Sequence, residues 1–198
     1  MGNSTILDII GSVVIAGFLL MIVLNLYGTI SNATFVTNNE LVVQTNLVTL
    51  VTLMEHDFRR LGYCANPVKV ADPTLNIKAA SAHSISFVTD VNCNGNLDTL
   101  TYSVSDTSAL HSTTNPHDMF LLRTIDGVTQ RLSLGLTMFN FSYYDVLGDS
   151  IPNPVADPRQ IYTMQLSIEL QSPAAYDTTY SYAYWRQLRL TSQNLRNR

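Results

Sequence analysis

The sequence predicts an α+β fold in which a long N-terminal helix packs on a mostly antiparallel β-sheet. Residues 9–27, IIGSVVIAGFLLMIVLNLY, carry no charge and are apolar on every helix face. Neither Gly nor Pro occurs between Gly28 and Gly62, where apolar residues recur at helical spacing. About seven later segments show the alternation of β-strands. We therefore divide the chain into a transmembrane segment (1–28), the outer part of the helix (29–62) and a β-rich head (63–198).

Residues 9–27, the apolar span, have the length of a membrane helix. At about 1.5 Å per residue the span reaches roughly 28 Å, close to the hydrocarbon thickness of a bilayer. A helix in a protein core would show a polar stripe, and this one does not. A secretory signal cleaved after Ala33 is the alternative, but no basic segment precedes the apolar residues.

The helical pattern continues beyond the membrane segment and ends at a defined signal. Arg59 and Arg60 are in its last turn, where cations interact favourably with the helix dipole, and Gly62 is placed as the C-terminal cap. Glu55 can pair with Arg59 one turn later. One face carries an apolar stripe, made of Val36, Val43, Leu47, Leu50, Met54, Phe58 and Leu61.

The head reads as a series of β-strands joined by polar loops. The Asp126-Gly127 dipeptide between two of them is a strong hairpin signal. The sheet needs a cover for its apolar face, and the apolar stripe of the helix supplies one. The predicted strands are residues 84–91, 97–104, 119–124, 128–133, 136–146, 162–170 and 180–190.

Charge and motif content exclude several functions. The chain has 11 basic and 15 acidic residues, a net charge of -4, and no Lys or Arg in its first 58 residues. Such a surface offers no electrostatic footprint for nucleic acid. Four isolated histidines and the absence of nucleophile, phosphate-loop or metal-ligand motifs predict that the chain is not an enzyme, with no small-molecule substrate evident. The histidines are His56, His83, His111 and His117.

The two cysteines predict the side of the membrane on which the head lies. Cys64 follows the helix and Cys93 lies in a polar, Asn-rich turn. A cysteine pair in a chain with a membrane segment favours one disulfide in an oxidising compartment, and hence a head outside the cytoplasm. Two unrelated free thiols are the alternative.

The turn at residues 90–98, DVNCNGNLD, places oxygen-bearing side chains at alternate positions with Gly sixth. This resembles the first half of an EF-hand loop and suggests a calcium site. Thr101 stands where the bidentate Glu belongs, and Asn and Asp also form tight turns without any metal. The candidate ligands are Asp90, Asn92, Asn94, Asn96 and Asp98, and no other cofactor is expected.

Three stretches resemble the minor pilins and pseudopilins of type IV pilus and type II secretion machines, most of all PilW-like minor pilins. They are MEHDFRRLGYCANP at the helix exit, SISFVTDVNCNGNLDTLTYSV around the first hairpin, and LLRTIDGVTQRLSLGLTMFNFSYYDVLGD in the middle of the sheet. The resemblance implies a membrane-anchored structural subunit of a filament. Its partners would be other pilin-like subunits and membrane lipid. It would reside first in the inner membrane with its head in the periplasm or outside, and then in a periplasmic or cell-surface filament.

The resemblance also assigns roles near the N-terminus. Prepilins carry a basic leader ending in Gly, followed after the cut by a Glu at the fifth position. Here Gly2 and Asn3 would flank the cut without a basic leader, and Asp8 would take the place of the Glu. Asp8 would then pair with a neighbouring subunit's α-amino group in lipid, or else mark the membrane boundary at the helix N-terminus.

Two further interpretations concern assembly. Gly11 and Gly17 would let another helix approach closely. The alternative function is a membrane-tethered binding or adhesion domain that does not polymerise.

Overall fold

A computed structural model describes residues 2–70, 72–110, 113–173 and 180–190, and the side chains of all of these except 2–5 and 187–190. His111 and most of the predicted loop at 172–179 fall outside these ranges. The chain comprises two compact units, Met1–Asn39 and Glu40–Arg198.

The long helix is confirmed as α1, which runs from Gly2 to Arg59. It continues through the Val- and Thr-rich stretch at residues 41–53 because no helix breaker interrupts it. The predicted pair between Glu55 and Arg59 forms, with 3.5 Å between Oε2 and Nη2. Just beyond the end of α1, Gly62 has a φ of +71° and donates its N–H to the carbonyl of Val88, which directs the chain towards the sheet.

The described residues of the head form one antiparallel sheet. Its strand order is β1-β2-β3-β4-β5-β7-β8, with the short β6 paired to β5. The strands are β1 Ile77–Ala80, β2 Ser84–Thr89, β3 Asp98–Val104, β4 Met119–Ile125, β5 Val128–Tyr144, β6 Ser150–Ile151, β7 Thr163–Gln171 and β8 Tyr182–Leu190. The chain therefore has the predicted α+β architecture, a long helix with an antiparallel sheet.

Strand β5 corrects the predicted division into two strands at residues 128–133 and 136–146. It is continuous because Gly135 bends it without breaking it: this residue has a φ of +78°, and a Cβ there would lie 2.2 Å from the carbonyl oxygen of Gln171 on β7. Only glycine permits both the conformation and the close approach. Strands β1 and β6 were not predicted, since four and two residues are too short to show periodicity.

The hairpin between β4 and β5 is confirmed. Asp126 and Gly127 have φ values of 47° and 86°, the left-handed conformations that a two-residue type I′ turn requires. Thr124 and Thr129 face each other across this hairpin, with 2.9 Å between their hydroxyl oxygens.

The core of the second unit lies between residues 40–61 and one face of the sheet. Five residues of the predicted stripe are at most 2% exposed, namely Val43, Leu50, Met54, Phe58 and Leu61. Phe58 contacts three aromatic rings of the sheet, with centroid distances of 5.4 Å to Phe87, 5.7 Å to Tyr102 and 5.9 Å to Phe141. The part of the stripe from Val43 to Leu61 thus covers the sheet, as predicted.

Candidate assembly helix and its attachment to the sheet

The apolar span is exposed along its whole length within this chain. Every residue from 6 to 27 is exposed, and large side chains such as Phe18 and Leu24 leave 63% and 61% of their surface uncovered. By length and composition α1 is able to cross a membrane, and none of its most apolar window is buried in the chain itself. So large an apolar surface requires lipid or other protein around it.

Five hydroxyl groups along α1 form hydrogen bonds within the helix. Each donates to a backbone carbonyl three or four residues earlier, at 2.7–3.0 Å. Such a hydroxyl needs no water, so the helix surface around it is compatible with lipid or with another apolar helix. The residues are Ser12, Thr29, Thr34, Thr45 and Thr49.

The structure places the predicted assembly residues on exposed helix surface. Asp8 is exposed and is the only charged residue among the first 39. A Cβ added to Gly11 or Gly17 would meet nothing within 4 Å, so packing within this unit does not require either glycine. Gly2 and Asn3, the residues of the predicted cleavage site, lie in the first turn of α1.

A buried polar cluster, which was not predicted from the sequence, attaches the end of α1 to the sheet. Asp57 is 4% exposed, and its Oδ2 accepts hydrogen bonds from Arg123 Nε on β4 at 2.8 Å and from Tyr102 OH on β3 at 2.6 Å. The other carboxylate oxygen lies 3.2 Å from His56 Nδ1. One signal was available: Asp57 lies three residues after Met54, on the apolar face, where a charge needs a buried partner.

The cluster raises the pKa values of two of its members, Tyr102 and Arg123. Burial raises the pKa of the Tyr102 hydroxyl well above its ordinary value, and the adjacent Asp57 carboxylate raises it further. Burial by itself would lower the pKa of Arg123, but its hydrogen bond and charge interaction with Asp57 outweigh that effect and raise it. Arg123 therefore stays positively charged beside Asp57 throughout the physiological pH range.

The candidate calcium turn is closed by its own hydrogen bonds. The Asp90 carboxylate accepts from the backbone N–H groups of Ala65, Asn94 and Gly95 at 2.8–3.1 Å. Burial would raise the pKa of this carboxyl, but these N–H donors outweigh the burial and lower it.

The other candidate ligands of this turn are engaged as well. Asp98 accepts from the N–H of Val91, Asn92 from that of Asn94, and Asn94 from that of Asn96. The side-chain oxygen of Asn96 accepts from the Lys69 ammonium group. The side-chain oxygens that would hold calcium thus accept hydrogen bonds from protein donors, and the calcium site stays a prediction. Among the described residues, no three His, Cys, Asp or Glu side chains are grouped to hold a metal ion.

The predicted disulfide is absent, because Cys64 and Cys93 are free thiols. Cys64 is buried, while Cys93 is exposed with a φ of 58°. The Arg60 guanidinium donates to the carbonyls of Asp90 and Val91 and lies 3.0 Å from Cys93 Sγ. Cys93 therefore faces this cation rather than the buried Cys64, and the sidedness inferred from a disulfide loses that support.

No model of a known protein family matches this chain, and no curated protein matches it either.

Proposed function

We propose that this chain is a structural subunit of a type IV pilus-like or type II secretion pseudopilus-like filament, anchored in a membrane before assembly. The observation that carries the proposal is the contrast between the two parts of α1. Residues 6–27 are exposed on every face, whereas residues 43–61 bury a single stripe against the sheet. The second unit has a complete core without the apolar span, so the span is available for lipid and then for other subunits.

The small residues and the carboxylate of the span suit transfer from lipid to a helix bundle. Gly11 and Gly17 leave helix surface open for a neighbouring backbone. Asp8 would be costly in lipid without a partner, and in the assembled state the α-amino group of a neighbouring subunit would neutralise it. Before assembly the head would lie on the side of the membrane away from the cytoplasm. In the filament the heads would face outwards.

The test is to replace Asp8 and measure assembly separately from membrane insertion. We expect Asp8→Ala to insert normally but to be recovered less in sheared filaments, examined by immunogold electron microscopy, and Asp8→Glu to restore recovery. Glu40→Ala is the matched control, since it removes an exposed carboxylate of the same helix beyond the apolar span. Equal recovery of all variants would assign Asp8 to the membrane boundary alone.

One observation favours a second function, a membrane-tethered binding or adhesion domain. The lining of an open groove of about 330 Å³ at the start of β7 includes Tyr144, Tyr162, Thr163 and Gln165. Aromatic side chains beside hydroxyl and amide groups are typical of ligand sites. Labelling of intact cells without labelled filaments would favour this function over polymerisation.

A further inference from the structure

A small groove beside β1 and β2 contains both lysines of the chain. Its volume is about 180 Å³, and its lining includes Lys69, Asp72, Asn76 and Lys78. Lysine occurs nowhere else in the 198-residue sequence. Two ammonium groups against one carboxylate make the lining net positive, although the chain as a whole has a net charge of -4.

The groove lies on the face of the sheet that points away from the core. Ile77 and its strand partner Phe87 point into the core, where they are 3% and 0% exposed. The adjacent residues, Asn76 and Val88, therefore lie on the opposite face, where the N–H of Val88 donates to the carbonyl of Asn76 at 2.8 Å. The register shifts directly after Ile77, and the exposed Lys78 lines the groove together with Val88.

The other lysine reaches the groove from the segment before β1. Lys69 ends the short 3₁₀ helix Pro67–Lys69, and its ammonium group donates to the side-chain oxygen of Asn96. This hydrogen bond holds the ammonium group beside Leu97, which also lines the groove. None of the ion pairs formed among the described residues involves Lys78. Its charge is therefore available to an anion in the groove.

An amide donor without a partner lies in the same lining. Asn76 is 2% exposed, and its Nδ2 has no acceptor among the described residues. This nitrogen lies beside Gly62, and a half-turn of the amide about the Cβ–Cγ bond would direct its N–H groups into the groove. Leaving a buried donor unpaired is costly, so an acceptor supplied by a ligand would be favoured. The Asp72 carboxylate is already engaged, because its Oδ1 accepts from the backbone N–H and the hydroxyl of Thr74.

We propose that this groove binds a small organic carboxylate, whose oxygens accept from the ammonium groups of Lys69 and Lys78 and from the amide of Asn76. The volume is below the roughly 300–1,000 Å³ of sites for drug-sized ligands, so the ligand has only a few carbon atoms. Apolar walls favour a short aliphatic chain over an inorganic anion. These walls are formed by Val70, Leu75, Val88 and Leu97.

The first test is a titration of the full chain in an uncharged detergent, with sodium butyrate as the probe and the ionic strength held constant. Lysine labelled with ¹³C at Cε gives only two side-chain signals, because the chain has only two lysines. We expect both signals and the side-chain amide signal of Asn76 to shift and to saturate together. Butanol, which has the same chain length without the charge, should shift none of them. Inorganic phosphate should bind at least about tenfold more weakly, the equivalent of two methylene groups left unburied.

The second test compares two variants that each remove one exposed cation. Lys78→Gln, read through the Lys69 signal, should weaken butyrate binding by about fivefold, the upper range for one exposed charge pair. The matched control Arg131→Gln removes an exposed cation of β5 outside the lining and should leave the affinity unchanged.

Four results would overturn the proposal. They are shifts that do not saturate, phosphate binding as tight as that of butyrate, undiminished affinity in Lys78→Gln, and an equal loss in Arg131→Gln. A fifth arm uses glutamate capped at both ends, whose side chain presents the same carboxylate on a peptide backbone. Tighter binding of capped glutamate than of butyrate would assign the groove to an acidic side chain of a partner protein and overturn its assignment to a free ligand.

Discussion

Replacing Arg123 by methionine should destabilise the fold by about 3–5 kcal/mol, the usual cost of removing one partner from a buried ion pair. Methionine keeps much of the side-chain length but neither charge nor donors. The Asp57 carboxylate, 4% exposed, would lose its hydrogen bond of 2.8 Å and remain buried with an uncompensated charge. Tyr102 and His56 would be its remaining neighbours.

The measurement is urea unfolding of the full chain in detergent, followed by the fluorescence of Trp185. This is the only tryptophan of the chain, and it packs against the core from β8. A loss of 3–5 kcal/mol corresponds to a decrease in Tm of about 6–20 °C for a chain of this size. The slope of unfolding free energy against urea should stay constant, which shows that stability rather than the unfolded state has changed.

Two further variants separate the ion pair from a general effect of losing an arginine. Arg59→Met removes the exposed partner of Glu55 on the same helix and should cost no more than about 1 kcal/mol. The double variant Asp57→Leu/Arg123→Met removes both buried charges and should recover most of the lost stability. A loss no larger than that of Arg59→Met, or a double variant less stable than Arg123→Met alone, would refute the reasoning.

Three other predictions concern the head. Gly135→Ala should lower the free energy of unfolding in urea by more than about 2 kcal/mol, because the added Cβ would lie 2.2 Å from a carbonyl oxygen of β7. The control Gly127→Ala should lower it by only about 1–2 kcal/mol, because no atom lies within 4 Å of its Cβ. Equal losses for the two variants would contradict the close approach at Gly135. Intact mass after alkylation without reductant should show one modified thiol, Cys93, and unfolding should expose Cys64 as the second; a protein that resists alkylation until it is reduced would show a disulfide instead. Because folding lowers the pKa of Asp90, its contribution to stability is fully present above its ordinary pKa of 3.8 and is lost as the pH falls towards the lower folded-state pKa. The Asp90→Asn variant lacks this contribution, so its stability should fall less on acidification than that of the parent protein. Acid unfolding followed by circular dichroism measures the difference.

Features encoded by neighbouring residues were predicted well. The helix through residue 59 follows from an unbroken apolar span and a stripe at helical spacing, and the hairpin follows from the Asp126-Gly127 dipeptide. Strand β7 alternates without interruption and was predicted nearly to its ends. These signals are local because helix period, strand period and turn conformation depend on residues only a few positions apart.

Features that depend on distant residues were missed or wrong. The disulfide was inferred from two cysteines in a plausible order, but the structure turns Cys93 towards Arg60 and buries Cys64. The calcium site at residues 90–98 stays a prediction: its spacing is ligand-like, and the structure adds that its side-chain oxygens accept hydrogen bonds from protein donors. The spacing of residues in a turn indicates which polar groups it contains. Their hydrogen-bond partners come from other parts of the folded chain.

The sequence by itself determined that this protein has a membrane-length apolar helix, an amphipathic continuation and an antiparallel head. Each of these elements is recognised from the periodicity of apolar residues within a short segment. Only the tertiary structure decided which polar groups meet. Asp57 reaches Tyr102 and Arg123 across 45 and 66 residues. Those contacts depend on strand order and register, which arise when apolar faces from the whole chain pack together, and no short segment specifies them.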